Sequence, residues 1–79
     1  MLIQVKLFAT LRRYAGDTPL GQPFQMELPA GATLQDLVER LGIPPDETKV
    51  AFVNARAQDL DWVLQPGDEV GIFPPIGGG

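Results

Sequence analysis

The sequence contains no cysteine, no histidine and no serine. Without cysteine there are no disulfides, no thiolate metal ligands and no thiol nucleophile. Without histidine the commonest general base and the commonest metal ligand are both missing. The absence of serine removes another nucleophile. Carboxylates, lysine, threonine hydroxyls and the backbone remain, which is a poor kit for an autonomous enzyme. Basic residues are scarce too: six Lys and Arg against ten Asp and Glu leave a net charge of −4. That balance argues against nucleic acid, whose phosphates require a basic surface. It fits a partner with a basic docking face, or simply a solvated acidic exterior. Long apolar runs are absent as well. The opening Met1-Leu2-Ile3-Gln4-Val5-Lys6-Leu7-Phe8 is too short and too interrupted for a signal or membrane-spanning segment. A soluble cytoplasmic protein without membrane contact is expected.

What is present is enough for one small core. The 79 residues are 44% hydrophobic, an ordinary fraction for a globular chain and too high for disorder. Ile3, Val5 and Leu7 alternate with Gln4, Lys6 and Phe8, which predicts a half-buried strand. Thr10 is placed to cap a short helical turn over Leu11–Ala15, with Gly16 suited to a left-handed stop. Residues 17–23 carry Gly and Pro and read as a loop. Phe24, Met26 and Leu28 alternate with Gln25 and Glu27 in a second strand whose polar face is wet. Pro29-Ala30-Gly31 ends it.

The clearest helix follows. Thr33 and Asp36 form a capping-box pattern, and Leu34, Leu37, Val38 and Leu41 fall on one helical stripe. Gly42 supplies the stop and Pro44-Pro45 forbid continuation. Val50–Val53 reads as a strand with a turn beginning at Asn54. Residues 57–64 are ambiguous: Leu60, Trp62 and Leu64 alternate with Asp59, Asp61 and Val63, yet the stretch reads equally as loop. Trp62 is expected to pack in the core or on its flank. Gln65-Pro66-Gly67-Asp68 matches a type II turn, and Glu69–Phe73 forms the last strand. Asp59, Asp61, Asp68 and Glu69 lack histidine companions and calcium-loop spacing, so they predict a solvated face or turn and no metal. One helix over a mixed sheet, an α+β arrangement, accounts for this order. The helix-bearing crossover places the first and last strands side by side in parallel.

The C-terminal residues Pro74-Pro75-Ile76-Gly77-Gly78-Gly79 stand apart from this body. Proline fixes φ and offers no N–H to a neighbouring strand, so Pro74 and Pro75 hold the tail away. Extended, the six residues reach about 20 Å. The sequence therefore divides into a domain over 1–73 and a projecting tail over 74–79. With no catalytic side chain upstream, the terminal carboxylate of Gly79 is the candidate for chemistry. Phe8 and Phe73 lie on the polar sides of their strands, either as exposed anchors for a partner or beneath a second small cluster under the Tyr14 turn.

These segments resemble the MoaD/ThiS family of ubiquitin-like sulfur carriers, in particular the branch of molybdopterin synthase small subunits. The match runs through Pro66-Gly67-Asp68-Glu69-Val70-Gly71-Ile72-Phe73-Pro74-Pro75 and the terminal Gly78-Gly79. It continues in Val5-Lys6-Leu7-Phe8-Ala9 with Leu11-Arg12, and in Glu27-Leu28-Pro29 through Thr33-Leu34 and Leu37. Gly77 stands where the family often has alanine or another small residue. Ala55-Arg56-Ala57 brings only small apolar groups where the family commonly presents an apolar side chain to its partner.

The resemblance implies a β-grasp (ubiquitin-like) fold with a flexible Gly-Gly tail. It implies a carrier and cosubstrate, not an enzyme. In the family, an E1-like adenylating enzyme of the MoeB/ThiF type uses ATP to adenylate the terminal glycine, here Gly79. A sulfur donor such as a cysteine desulfurase or rhodanese then makes the thiocarboxylate. The molybdopterin synthase large subunit (MoaE type) holds the pterin precursor that receives the sulfur, and no cofactor is bound by the carrier itself. On this resemblance Pro74, Pro75, Ile76, Gly77 and Gly78 thread partner active sites, while Phe8, Arg12 and Phe73 contact the partner. Thiazole, cysteine or tRNA-thiolation pathways remain alternatives for the sulfur. So do a protein modifier joined through Gly79 and an inert β-grasp interaction module.

Overall fold

A computed structural model describes residues 1–16, 18–19, 21–48 and 50–75. The alternating segments become a five-stranded mixed sheet in the order β2-β1-β5-β3-β4. Its strands are β1 (Leu2–Leu7), β2 (Phe24–Glu27), β3 (Val50–Val53), β4 (Arg56–Gln58) and β5 (Glu69–Phe73), with helix α1 (Leu34–Leu41) between β2 and β3. Strands β1 and β5 are parallel at the centre, as the crossover requires, with Val5 opposite Val70 and Leu7 opposite Ile72. The β1–β2, β3–β5 and β3–β4 pairs are antiparallel.

Register decides which side chains share a face, because successive residues point to opposite sides of a sheet. Ile3, Val5, Leu7, Ala51, Val53, Val70 and Ile72 face one way and are buried. Leu34, Leu37 and Val38 of α1 close over them, joined by Leu11, Leu28, Ile43 and Leu64. Leu34 and Leu37 are both completely buried, and each contributes roughly 2–3 kcal/mol in transfer from water.

Helix α1 begins and ends where its sequence demands. The Thr33 hydroxyl accepts from the Asp36 N–H at 3.2 Å, and the Asp36 carboxylate accepts from the Thr33 N–H at 2.9 Å. At the other end Gly42 adopts φ +78° and closes the helix with left-handed geometry. The turn over residues 65–68 also forms as expected, with Gly67 at φ +82° and the Asp68 N–H donating to the Gln65 carbonyl at 3.1 Å.

Two local expectations are corrected. Thr10 caps nothing: a 3-10 turn runs over Ala9–Ala15, its N-cap is Phe8, and no side chain caps it. Ala9 at φ +53° turns the chain abruptly after Phe8, so the turn starts before Thr10 is in a capping position. The ambiguous stretch after Ala57 is a short strand followed by loop. Carbonyls of Leu60 and Trp62 accept from the Gln35 and Leu34 N–H groups at 2.8 and 3.0 Å. That loop satisfies the first donors of α1, which a helix cannot satisfy by itself. Trp62 consequently stays out of the core and is 40% exposed.

Candidate docking face and tail root

The sheet surface opposite α1 is not covered. Across its centre the register aligns Lys6, Gly71, Phe52 and Ala57, and the next row brings Phe73 beside Val50. Phe8 follows directly after β1, and its N–H donates to the Ile72 carbonyl at 3.1 Å, which holds the ring over β5. There it stacks on Phe73 with centroids 4.1 Å apart and planes 6° from parallel. Phe52 meets Phe73 edge-on at 5.6 Å and 80°. Both geometries suit the aromatic quadrupole. The Lys6 ammonium lies 5.4 Å from the Phe8 centroid, within cation–π range. All three rings are half-buried.

A shallow groove of about 350 Å³ runs over this surface, lined by Lys6, Phe8, Phe52, Gly71, Ala55 and Pro23 among others. Gly71 lines the groove, and its missing side chain leaves room for the Phe8 ring. A β-carbon there would lie 3.1 Å from Phe8 Cε2, tighter than an ordinary van der Waals contact.

Phe8 and Phe73 are therefore brought together on the face opposite α1, where they half-bury each other. Arg12 is exposed on the 3-10 turn, where its Nε donates to the Ala9 carbonyl at 3.2 Å, and it does not line the groove. Pro74 is buried and Pro75 exposed directly after Phe73, while Ile76, Gly77, Gly78 and Gly79 lie outside the described residues. Phe52 was not singled out by sequence reasoning. It stands opposite Ala57, so apolar bulk lacking on β4 is supplied from β3. All four residues of Val50–Val53 are apolar, so alternation alone does not say which pair faces the core; burial of Ala51 and Val53 puts Phe52 on the other face.

The rim of the face is held by a polar network. Asp68, largely buried, accepts from Asn54 Nδ2 at 3.0 Å and from the Gln65 N–H at 2.8 Å. Asn54 Oδ1 in turn accepts from the Glu69 N–H at 3.0 Å. These bonds lock the β3–β4 turn to the start of β5. The turn uses Asn54 at φ +51° and Ala55 at φ +70°, values that suit a tight hairpin but strain an alanine. On the other side of the molecule Arg13 pairs with Glu47 at 2.5 Å and donates to the Tyr14 hydroxyl at 3.1 Å. Its guanidinium pKa is raised by the Tyr14 hydrogen bond first and the Glu47 charge second.

This surface is built from aromatic, small and a few charged side chains. Among the described residues no group of acidic side chains is arranged to hold a metal, and no helix is long and apolar enough to cross a membrane. What it offers is a firm aromatic platform at the root of a Gly-rich tail. Residues 5–79 match the ThiS family. The chain belongs to that family.

Solved structures agree with the assignment. A putative molybdopterin converting factor subunit 1 from Pyrococcus furiosus is 31% identical, with a TM-score of 0.72 over 95% of this chain and 98% of that one. Small archaeal modifier protein 1 from Haloferax volcanii superposes with the same TM-score of 0.72, over 95% of this chain and 98% of that one, at 24% identity. One chain of a complex of subunits 1 and 2 of the molybdopterin-converting factor from Helicobacter pylori matches with TM-score 0.63 and 20% identity, over 100% of this chain and 100% of that one. The last two likenesses establish the fold alone, the β-grasp of ubiquitin-like carriers and modifiers. Among curated sequences, a threonine–tRNA ligase from Protochlamydia amoebophila is 40% identical over 45 residues, 56% of this chain. The match spans only 7% of that ligase's length.

Proposed function

We propose that this ThiS-family chain is a sulfur carrier acting as the small subunit of a molybdopterin synthase, with the carboxyl group of Gly79 as its reactive group. One observation carries the reading: the Phe8–Phe73–Phe52 platform sits where β5 passes into Pro74-Pro75 and the glycines. A partner gripping the platform has the tail at the edge of its own active site. The named likeness to molybdopterin converting factor subunit 1 supports the same destination.

The chemistry explains the residue types. A carboxylate is an anion at neutral pH and a poor acyl electrophile, since α-carboxyl groups ionise near pH 3.3–3.7. An E1-like enzyme joins the Gly79 carboxylate oxygen to the α-phosphorus of ATP and releases pyrophosphate. The terminal sulfur of a donor persulfide attacks the acyl carbon and expels AMP, and a second thiol cleaves the S–S bond to leave a thiocarboxylate. That sulfur bonds to a carbon of the pterin precursor held by a large subunit as an oxygen substituent leaves that carbon. Hydrolysis of the resulting thioester leaves sulfur on the pterin and returns the carboxylate. Gly78 and Gly79 present bare backbone to two active sites in turn, and any β-carbon there narrows the passage. Pro74 and Pro75 have a fixed φ and no N–H to offer a neighbouring strand, which suits a segment that has to enter a partner.

The test is intact-mass spectrometry after incubation with ATP, an E1-like enzyme and a persulfide donor. The expected product is heavier by the difference between sulfur and oxygen and transfers sulfur to precursor when large subunit is added. Removal of Gly79 should abolish both steps and leave the fold unchanged; retained transfer would refute the terminal-carboxylate mechanism. The likeness to an archaeal modifier protein favours a second reading, in which Gly79 forms an isopeptide bond with a lysine. Lysine-linked conjugates appearing in place of the thiocarboxylate would select it.

A further inference from the structure

The helix side of the sheet carries a second, chemically different surface. The loop Asp59–Val63 lies against the start of α1, held by the carbonyls of Leu60 and Trp62 and by the bridge between Val63 and Thr33. Leu64, the next residue, is buried and bonded through its N–H to the Ala32 carbonyl at 2.8 Å. The loop is therefore anchored at both ends. Yet Trp62 and Val63 are 40% and 46% exposed, two of the most exposed large apolar side chains among the described residues. Exposed Asp59 and Asp61 flank them, and Asp36 and Glu39 continue the acidic surface along α1. Arg40 is the nearby cation in that stretch, but the one ion pair among the described residues is Arg13–Glu47, elsewhere. The helix N-terminus itself is not open to an anion, because loop carbonyls and Thr33 already take its N–H groups.

An apolar anchor with carboxylates beside it in the loop fits an apolar socket rimmed by Lys and Arg, and an arginine can also lie over the indole. We propose that Asp59–Val63 and the first turn of α1 form a second docking surface, whose occupant is the basic face of the protein that delivers persulfide sulfur. This rests on the carrier reading above. On that reading the activating enzyme takes the tail and the face at its root, and the donor meets the carrier on a surface that stays free. The helix layer is that surface, and its charge differs from the Lys6 side of the sheet.

The test compares wild type with Trp62→Ala and with Asp59→Lys/Asp61→Lys. Titration of ¹⁵N-labelled carrier with a purified cysteine desulfurase or rhodanese should shift resonances of residues 59–63 and 34–36. Both variants should bind the donor at least tenfold more weakly at low salt. Their affinity for the large subunit should be unchanged, and their unfolding midpoints should confirm intact structure. Donor-induced shifts confined to the aromatic face, or undiminished affinity in both variants, would overturn the proposal. So would loop shifts produced instead by the large subunit or the activating enzyme. A wild-type chain that never acquires sulfur with ATP, activator and donor refutes the carrier reading itself. Normal sulfuration with unaffected variants refutes only the second surface.

Discussion

Replacing Gly71 by alanine should separate docking from stability. Gly71 lies in the middle of β5, and its φ is not in the left-handed region, so alanine fits the backbone. The reduced freedom of the unfolded chain then favours the variant by about 0.4–1 kcal/mol. Against this, the new methyl carbon meets Phe8 Cε2 at 3.1 Å. The ring must retreat by a few tenths of an ångström, and its near-parallel stack on Phe73 loosens. An aromatic pair is worth about 0.5–1.5 kcal/mol beyond its area, and a tilted pair keeps part of that. The two effects nearly cancel, so stability should change by less than about 0.5 kcal/mol in a urea titration.

Docking has no such compensation. The methyl intrudes on the groove while Phe8 moves within the platform, and a partner shaped to the wild-type surface loses contact with both. A loss of about 1 kcal/mol, roughly fivefold in Kd, is expected by calorimetric titration with the large subunit. An affinity equal to wild type would refute the placement of the partner on this groove. A stability loss above about 2 kcal/mol would instead mean that Phe8 behaves as core, since overpacking a core costs that much.

Substitutions at two further positions probe the rim. Ala55→Gly removes a β-carbon held at φ +70°; relief of about 1–2 kcal/mol of left-handed strain, offset by the greater freedom of unfolded glycine, should leave a net gain of about 0.5–1 kcal/mol. Thermal unfolding should rise by about 2–8 °C, and an unchanged or lower midpoint would contradict the strain. Asp68→Ala strips acceptors from Asn54 Nδ2 and the Gln65 N–H, and with a charged acceptor lost from a largely buried position the cost should be about 3 kcal/mol by denaturant unfolding. Asp68→Asn, which keeps one acceptor oxygen, should lose less, and a loss below about 1 kcal/mol in Asp68→Ala would show that the network is ornamental.

How far each feature was legible depended on whether its cause was local. Helix α1 was readable because Thr33, Asp36, the leucine stripe and Gly42 are all within a few residues of the structure they create. The outward placement of Phe8 and Phe73 followed from alternation against polar neighbours. Phe52 escaped notice because Val50-Ala51-Phe52-Val53 is apolar throughout and offers no contrast between faces. The strained hairpin was hidden because Asn54-Ala55 lacks the glycine that normally announces such a turn. Thr10 suits a cap only for a turn that starts at Leu11, two residues later than the observed start at Ala9. The loop at 59–63 was illegible for a deeper reason. Its shape answers the unpaired N–H groups of Leu34 and Gln35, and no pattern within the loop records that distant demand.

The contrast between the two surfaces has a consequence for ionic strength. The groove on the sheet is lined mainly by apolar side chains, Phe8 and Phe52 among them, with Lys6 in cation–π range of Phe8 and Glu69 as its one carboxylate among the described residues. The surface around Trp62 is acidic and its carboxylates are exposed. Exposed charges are screened beyond about 8 Å at physiological salt, whereas apolar burial is not weakened by it. Large-subunit affinity should thus vary little between low and moderate salt, while donor affinity should fall steeply over the same range. A parallel fall in both would mean that one electrostatic surface serves both partners, and the division of labour between sheet and helix layers would fail.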